Sequence, residues 1–424
     1  MHDEEVEPDS EPFRIAYLVS HPIQYQAPLL RRLAAEPMID LTVLFRSDIT
    51  TRGFSDPEFG REIAWDTPLL EGYRYKFLPM VGPTDRVDLL YPLNYGIDAE
   101  LASGEYEFLW VHGYALWFNW LALWRARRRG ITTLLRDEAT GISRPRAAWK
   151  RWAKRRLFST LDKLVDGVLA IGSLNRAYYA ENGIADGKVF DLGYTVDNAH
   201  FQTGAAAAVD RRDLLRESLG LEPDAPVILY ASKLTRRKRA DDLLAAYREL
   251  YELGPIEPMP YLLLVGDGDL ADELQQEVLT SGLSRVRFLG FRNQSELPAL
   301  YDLCDVFVLP SENEPWGLVV NEAMSVGRPV IVSDKVGSGA DLVRHGETGF
   351  VFPVGDRAAL RQALEAVLEN SEQRARMGKA AAARMCDWDF ERNVIDLVAA
   401  LGELRRRRET PTLTASATKQ ENNA

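Results

Sequence analysis

The stretch Val306–Val332, VFVLPSENEPWGLVVNEAMSVGRPVIV, decides how the rest of the chain is read. An apolar run at Val306–Leu309 precedes two carboxylates, Glu314 and Glu322, and a second apolar run, Val330–Val332, follows them. The order predicts strand, loop, helix, strand. The helix is expected to start near Trp316 and stop at Gly327, with Pro329 blocking its continuation. A loop at the C-terminal end of a strand, feeding a helix N-terminus, is where open α/β sheets bind anions. Glu314 falls in that loop. Glu322 is expected about two turns into the helix, roughly 9 Å along its axis at ~1.5 Å per residue. That separation suits two carboxylates touching opposite ends of one extended ligand better than a pair acting on one bond.

The same alternation runs outward on both sides. Upstream, Arg14–Ser20, Leu41–Phe45, Phe108–Val111, Leu134–Arg136 and Gly167–Ile171 read as strands, with helices over Ala27–Ala35 and Arg146–Leu164. A long irregular stretch, Arg46–Leu78, interrupts them, and a loop of that length in a compact domain is usually functional. Nearer the opening stretch, Val227–Ala231, Tyr261–Val265 and Val286–Leu289 alternate with helices at Arg239–Leu250, Leu270–Thr280 and Leu297–Leu303. Beyond it, Leu360–Glu369, Gln373–Met385 and Asp389–Leu404 read as helices. Strands alternating with helices mean parallel, doubly wound sheets. The fold class is therefore α/β, with two Rossmann-like domains facing a central cleft.

At 424 residues two domains are expected. The boundaries follow composition: a disordered N-terminus over 1–12, a first domain over 13–200, a linker over 201–225 and a second domain over 226–387. A C-terminal helix over 388–404 is positioned to cross back to the first domain, and a polar, disordered tail is expected over 405–424. Hydrophobic residues make up 46% of the chain and charged ones 27%, an ordinary globular balance. A net charge of −12 argues against general nucleic-acid binding. Cys304 and Cys386 form no metal-ligand spacing and permit one disulfide at most. The acidic start, MHDEEVEPDSEP, lacks the basic-then-apolar order of a signal peptide. A cytoplasmic location is the expectation. Phe108–Trp124 carries no formal charge and is followed by Arg125, Arg127, Arg128 and Arg129. It is short for a membrane span and carries His112, Gly113 and Asn119, so it reads as a buried strand, a turn and an amphipathic helix.

Ser311-Glu312-Asn313-Glu314-Pro315-Trp316-Gly317 follows directly on a buried strand. Gly317 permits close backbone approach, and the helix start offers unpaired N–H groups. Carboxylates there repel a bare phosphate, but they suit a ligand whose hydroxyls meet the carboxylates and whose phosphate meets the amides. Taken with Glu-Ala-Met at 322–324, Gly-x-Pro-Val-Ile at 327–331 and Gly346-Glu347-Thr348-Gly349-Phe350, the stretch closely resembles the E-x7-E signature of family-4 glycosyltransferases, retaining enzymes of the GT-B fold. The resemblance spans about 14–402 and is strongest over 227–355.

The resemblance implies transfer of a sugar from a nucleotide-diphosphate sugar to an acceptor hydroxyl, with no metal or other cofactor required. Lys233 and Lys238, in the loop after Val227–Ala231, would meet the diphosphate with the amides of Gly317, Leu318 and Val319. Relatives usually place Arg at the first of these two positions, so the bidentate fork is absent here while the charge remains. Glu322 would take the ribose and Glu314 the sugar hydroxyls, offsetting positive charge at the anomeric carbon. His112 resembles the first-domain histidine near the reaction centre, and Arg292, beside Phe291, falls in the region that holds the base. Where many relatives have a Gly-rich loop after the first strand, this chain has Ser20-His21-Pro22-Ile23-Gln24-Tyr25-Gln26, whose His21, Gln24 and Tyr25 suit acceptor hydroxyls. Asp267-Gly268-Asp269 reads as a strand-end turn and not as a metal site.

Arg144–Lys163 is dense in Arg and Lys around Trp149 and Trp152. Two readings stand side by side. A basic, Trp-bearing helix lies on anionic lipid, or the tryptophans follow helical spacing into the core. The first puts the protein at the inner face of the membrane with a glycan or lipid-linked acceptor, in surface polysaccharide, glycolipid or lipid-linked oligosaccharide synthesis. Two rival functions fit the fold: a nucleotide-sugar epimerase or hydrolase, and a catalytically silent carbohydrate-binding member of an assembly complex.

Overall fold

The computed structural model describes residues 11–51, 54–56, 61–63, 65–82, 91–142, 148–254 and 256–410. Two all-parallel sheets carry the architecture. In the first, strands run in the order Val189–Asp191, Gly167–Ala170, Thr132–Arg136, Phe108–His112, Phe13–Val19, Ile39–Phe45, Arg74–Phe77. In the second the order is Val286–Gly290, Tyr261–Val265, Val227–Ala231, Val306–Leu309, Val330–Ser333, Gly349–Phe352. Central strands such as Val227–Ala231, Tyr261–Val265 and Val306–Leu309 are buried throughout because helices cover both faces. This is why they read as unbroken apolar runs.

Each sheet has one place where the winding reverses. In the first it lies between Phe13–Val19 and Phe108–His112, in register at Ile15 with Phe108. In the second it lies between Val227–Ala231 and Val306–Leu309, with Ile228 opposite Val306. Loops leaving neighbouring strands there splay to opposite faces and open a crevice at the strand ends. The residues that open it are those after Val19, His112, Ala231 and Leu309, and they include most of the residues singled out in the sequence.

Several boundaries differ from the sequence reading. The helix after Glu314 begins at Leu318 and ends at Ser325, because Gly317 sits in the left-handed region at φ 94° and cannot continue a helix backwards. Glu322 is therefore little more than one turn in, about 6 Å at ~1.5 Å per residue, and not two. Within Arg46–Leu78 the chain forms a short antiparallel pair, Phe54–Asp56 with Arg61–Ile63, and a sheet strand, Arg74–Phe77, that pairs in parallel with Ile39–Phe45. Tyr75 and Phe77 are exposed on that edge, which hid the strand from a burial-based reading. The expected linker at 201–225 is not free-standing. Helix Asn198–Ala208 lies on Leu297–Leu303 and sends Phe201 into the second domain's core, capped by the Asp197 carboxylate. Residues 1–10 and 411–424, read as disordered ends, lie outside the described residues. The expected tail start at 405 is instead helical as far as Glu409.

That last helix, Phe390–Glu409, returns to the first domain. Val394, Leu397, Ala400, Leu401 and Leu404 join the apolar cluster of Phe13, Ile15 and Tyr17. Glu391 pairs with Arg32 at 2.6 Å, and Arg405 with Glu107 at 2.6 Å. The chain thus passes between domains twice, near Gly193 and near Trp388. The passages touch: Asn198 donates to the Met385 and Trp388 carbonyls at 3.0 and 3.1 Å, and the Thr195 hydroxyl to Asn393. Gly193 has no Cβ because one would lie 2.8 Å from the Trp388 ring.

Leu401 has no exposed surface, so Leu401→Ala leaves a cavity beneath the first sheet. A cost of about 2–5 kcal/mol is expected. Calorimetry should show it as a lower first-domain transition; an unchanged transition would mean the returning helix does not stabilise that domain.

Candidate functional site

A cleft of about 530 Å³ lies between the two sheets at their strand ends. From the second domain it is lined by Lys233, Lys238 and Arg237, by Glu314 and Glu322, and by the helix start Gly317, Leu318 and Val319. Arg292 and Phe291 line it as well. From the first domain come His21, Gln24 and Tyr25, together with Glu138 and Trp65. Of the catalytic, donor and acceptor candidates named from the sequence, His112 alone is not part of the lining.

The Glu314 loop is held by backbone on both sides. The Glu314 N–H donates to the Lys335 carbonyl at 3.0 Å, and Gly337 donates back to the Glu314 carbonyl at 2.9 Å. A Cβ on Gly337 would lie 1.9 Å from the Pro315 carbonyl oxygen, so only glycine permits this approach. One on Gly317 would press on Leu309, Glu314 and Val336. The Glu314 carboxylate pairs with the Lys238 ammonium, both side chains being only 12–13% exposed. Arg237, which the sequence reading passed over, donates to the Asn313 carbonyl at 3.1 Å and accepts from the Glu312 N–H through its own carbonyl at 2.8 Å. The lysine loop and the glutamate loop are therefore one unit.

Glu322 is almost fully buried. Its Oε2 accepts from the Tyr301 hydroxyl at 2.6 Å. Burial pushes its pKa up to about 7, against the Tyr301 and Gln294 hydrogen bonds, which favour the charged form. Asp267-Gly268-Asp269 is a turn: Asp267 Oδ1 accepts from the Gly268 N–H at 2.9 Å. Cβ atoms on Gly266 and Gly268 would meet the Ser232 and Leu234 carbonyls at 2.0 and 2.5 Å, so the glycines seat this turn under the Lys233 loop.

On the first-domain side the centre is Glu138, two residues past the strand Thr132–Arg136. Tyr194 donates to its carboxylate, and Tyr25 also hydrogen-bonds to it. Burial holds both phenols well above their ordinary range, so they stay donors. Arg136, fully buried and 4.8 Å over the Tyr194 ring, supplies the counter-charge. Burial nevertheless raises the Glu138 pKa, and the Glu314 charge across the cleft adds to this. His112 lies behind, its Nε2 3.8 Å from Glu138 and its Nδ1 3.2 Å from the Tyr17 hydroxyl. Burial, with Arg136 beside it, lowers its pKa to about 3, so it is neutral. A strand-end Asp-Glu after an Arg was the available sequence signal for Glu138. His21, 3.0 Å from the Ser20 hydroxyl through Nδ1, is also kept neutral, its pKa lowered to about 4 by burial. Gln24 also lines the cleft, and its Oε1 is buried without a hydrogen-bond partner.

A family profile described as "Glycosyl transferases group 1" matches residues 211–384. The second domain is a group 1 glycosyl transferase domain. Relatives include the lipopolysaccharide core biosynthesis glycosyltransferase LpsE of Rhizobium meliloti, 33% identical over 46% of this chain and 55% of its own length. Alpha-D-kanosaminyltransferase of Streptomyces kanamyceticus is 32% identical over 41% of this chain and 44% of its own. The chain thus spans about half the length of these two curated relatives. Among solved structures, Anabaena HepE in complex with UDP and glucose superposes with a TM-score of 0.70 at 18% identity, covering 92% of this chain and 99% of that one. Sucrose-phosphate synthase of Thermosynechococcus elongatus gives 0.66 at 22% identity over 94% and 99%. The fold is GT-B, with the group 1 glycosyl transferase domain supplying Glu314, Glu322 and both lysines.

A carboxyl whose pKa rises from 4.5 to about 7 on folding stays protonated in the fold between those values, while in the unfolded chain it ionises. The protonated group's stabilisation, complete below about pH 4.5, is therefore lost progressively as pH rises to about 7 and is gone above it. Glu322→Gln removes that loss. Thermal melts without nucleotide should show the variant gaining on the wild type between pH 5 and 8, by an order of 3 kcal/mol at ~1.4 kcal/mol per unit. A constant difference across that range would contradict the buried, high-pKa assignment.

Proposed function

We propose that the protein is a glycosyltransferase that moves a sugar from a nucleotide-diphosphate sugar to an acceptor hydroxyl with retention of anomeric configuration. The observation that carries this is the order of chemistry along one cleft: a buried carboxylate at Glu322, a helix N-terminus with Lys233 and Lys238, then Glu314, and facing them Glu138, Gln24, His21 and Tyr25. A nucleotide-diphosphate sugar has the same order of ribose hydroxyls, diphosphate and sugar hydroxyls. The group 1 match over 211–384 supports the donor side, and HepE, of the same fold, has been solved with UDP and glucose.

In this reading Lys233, Lys238 and the amides of Gly317, Leu318 and Val319 hold the diphosphate as negative charge builds on it. Phe291 and Arg292 lie where the base sits. Lys238 stands between the diphosphate and Glu314, and Glu314 balances charge at the anomeric carbon. The bond from that carbon to the phosphate oxygen breaks, the acceptor oxygen bonds to the same face, and the acceptor proton passes to the leaving phosphate. The alternative route is a double displacement with Glu314 as the nucleophile. Gln24, with its unpartnered buried oxygen, and His21 and Tyr25 orient the acceptor. The acceptor class is a glycan or lipid-linked hydroxyl in surface polysaccharide, glycolipid or lipid-linked oligosaccharide synthesis; the relationship to LpsE supports the first of these. The location that goes with it is cytoplasmic, with peripheral contact at the inner face of the membrane.

A thermal-shift screen of UDP-, GDP-, ADP- and dTDP-sugars identifies the donor, since saturation at 100 times Kd adds ~2.7 kcal/mol. With that donor, Glu314→Gln should lower turnover by at least about a hundredfold. Donor Kd should hold or tighten, because Lys238 is then unpaired until the diphosphate arrives. Near-normal turnover would overturn the assignment. The lysines supply the cationic charge opposite the diphosphate, so turnover should survive excess EDTA. Loss of activity that a divalent metal restores would show that a metal is required.

A further inference from the structure

Helices Trp117–Arg128 and Ala148–Leu164 follow neighbouring strands and lie side by side on one face of the first sheet. Their inner sides are settled by Phe118, Ala122, Leu123, Phe158 and Leu161 in one apolar cluster. Their outer sides are unusual. Trp149 is 68% exposed, Trp152 65% and Leu157 43%, which excludes the core reading of those tryptophans. Trp117 and Trp124 add 38% and 40% on the adjoining helix. The expected helix start at Arg146 falls among residues 143–147, outside the described residues; the described helix begins at Ala148.

Between Ala148 and Leu157 stand Lys150, Arg151, Lys154, Arg155 and Arg156, with no acidic residue before Asp162. Cations lie over the rings themselves: Lys150 5.5 Å from Trp149, Arg156 5.7 Å from Trp152, and Arg125 and Arg128 both 4.9 Å from Trp124. A chain of net charge −12 thus carries a basic, aromatic strip on one face. A water-facing surface has no use for so much exposed indole. A surface meeting lipid headgroups does, since indole favours the interface and Lys and Arg favour anionic lipid. Among the described residues no helix is long and apolar enough to cross a membrane, so contact would be peripheral.

We propose that this two-helix face docks on an anionic bilayer, with Trp149 and Trp152 in the headgroup layer. Both helices start at the C-terminal ends of their strands, the end that carries the cleft, so Trp117 and Trp149 sit towards its rim. Docking there presents the first-domain side of the cleft to the membrane. This last point rests on the acceptor reading above; the docking itself does not.

Sedimentation of the full chain with vesicles tests the proposal without any nucleotide. Phosphatidylcholine vesicles containing phosphatidylglycerol should carry the protein down, pure phosphatidylcholine vesicles should not, and added salt should weaken the binding. Trp149→Ser/Trp152→Ser should lower partitioning by roughly tenfold or more, as should Lys150→Glu/Arg155→Glu. Both variants should keep the wild-type melting temperature and nucleotide-induced shift, since these side chains are exposed. Wild type left in the supernatant with anionic vesicles would overturn the proposal, as would partitioning that both variants leave unchanged. So would a dimer in light scattering that the tryptophan variant dissolves, because the face would then belong to a second copy. Donor binding measured separately shows whether the catalytic reading stands or falls with it.

Discussion

The Trp316 side chain is the constraint on which the arrangement of the two domains depends. It lies two residues past Glu314, is 2% exposed and donates from its indole N–H to Asn321 at 2.9 Å. Asn321 in turn donates to the Tyr194 carbonyl at 3.0 Å, in the first passage between domains. Trp388, at the second passage, packs on it at 5.2 Å. The first domain closes the remaining side with Gly172, where any Cβ would lie 2.4 Å from the indole. One buried ring therefore fixes the glutamate loop, the helix behind it and both passages. The neighbouring Tyr194 carries the order across, since its hydroxyl ends on Glu138.

Electrostatics in the cleft follow from this closeness. Glu314 and Glu138 face one another from different domains, each with its own basic support, Lys238 for one and Arg136 for the other. Both are held by contacts within their own domain, so neither needs a ligand to be positioned. Between them lies the space where positive charge would develop in the proposed reaction, with two carboxylates already bordering it. His112 and His21 are neutral by burial and add no opposing charge.

Much of this was legible in the sequence because buried parallel strands leave unbroken apolar runs, and because the Glu314 loop combines glycine, proline and carboxylates over a few residues. Lys233, Lys238, Arg292, Glu322, His21, Gln24 and Tyr25 all reach the cleft. What stayed hidden has identifiable causes. The strand Arg74–Phe77 sits at a sheet edge with its side chains exposed, so it carries no burial pattern. Helix Asn198–Ala208 looked like a linker because its alanine-rich end is unmarked, while Phe201 and Ala205 are its buried residues. Glu138 owes its place to two tyrosines, Tyr25 and Tyr194, over a hundred residues apart, and no local pattern reports such a meeting. The helix start was misplaced because left-handed backbone at Gly317 depends on how the chain packs around it.

The doubled passage between domains has a mechanical consequence. A single connecting strand lets two bodies swing and spin freely about it. Here Asn198, Thr195 and the Gly193–Trp388 contact lash two strands together, and the returning helix is anchored along its length in the first domain. Such a doubled joint leaves less freedom to twist than a single strand would. Twisting one domain against the other would have to break these contacts, so the relative bearing of the two carboxylates is set by the connection itself.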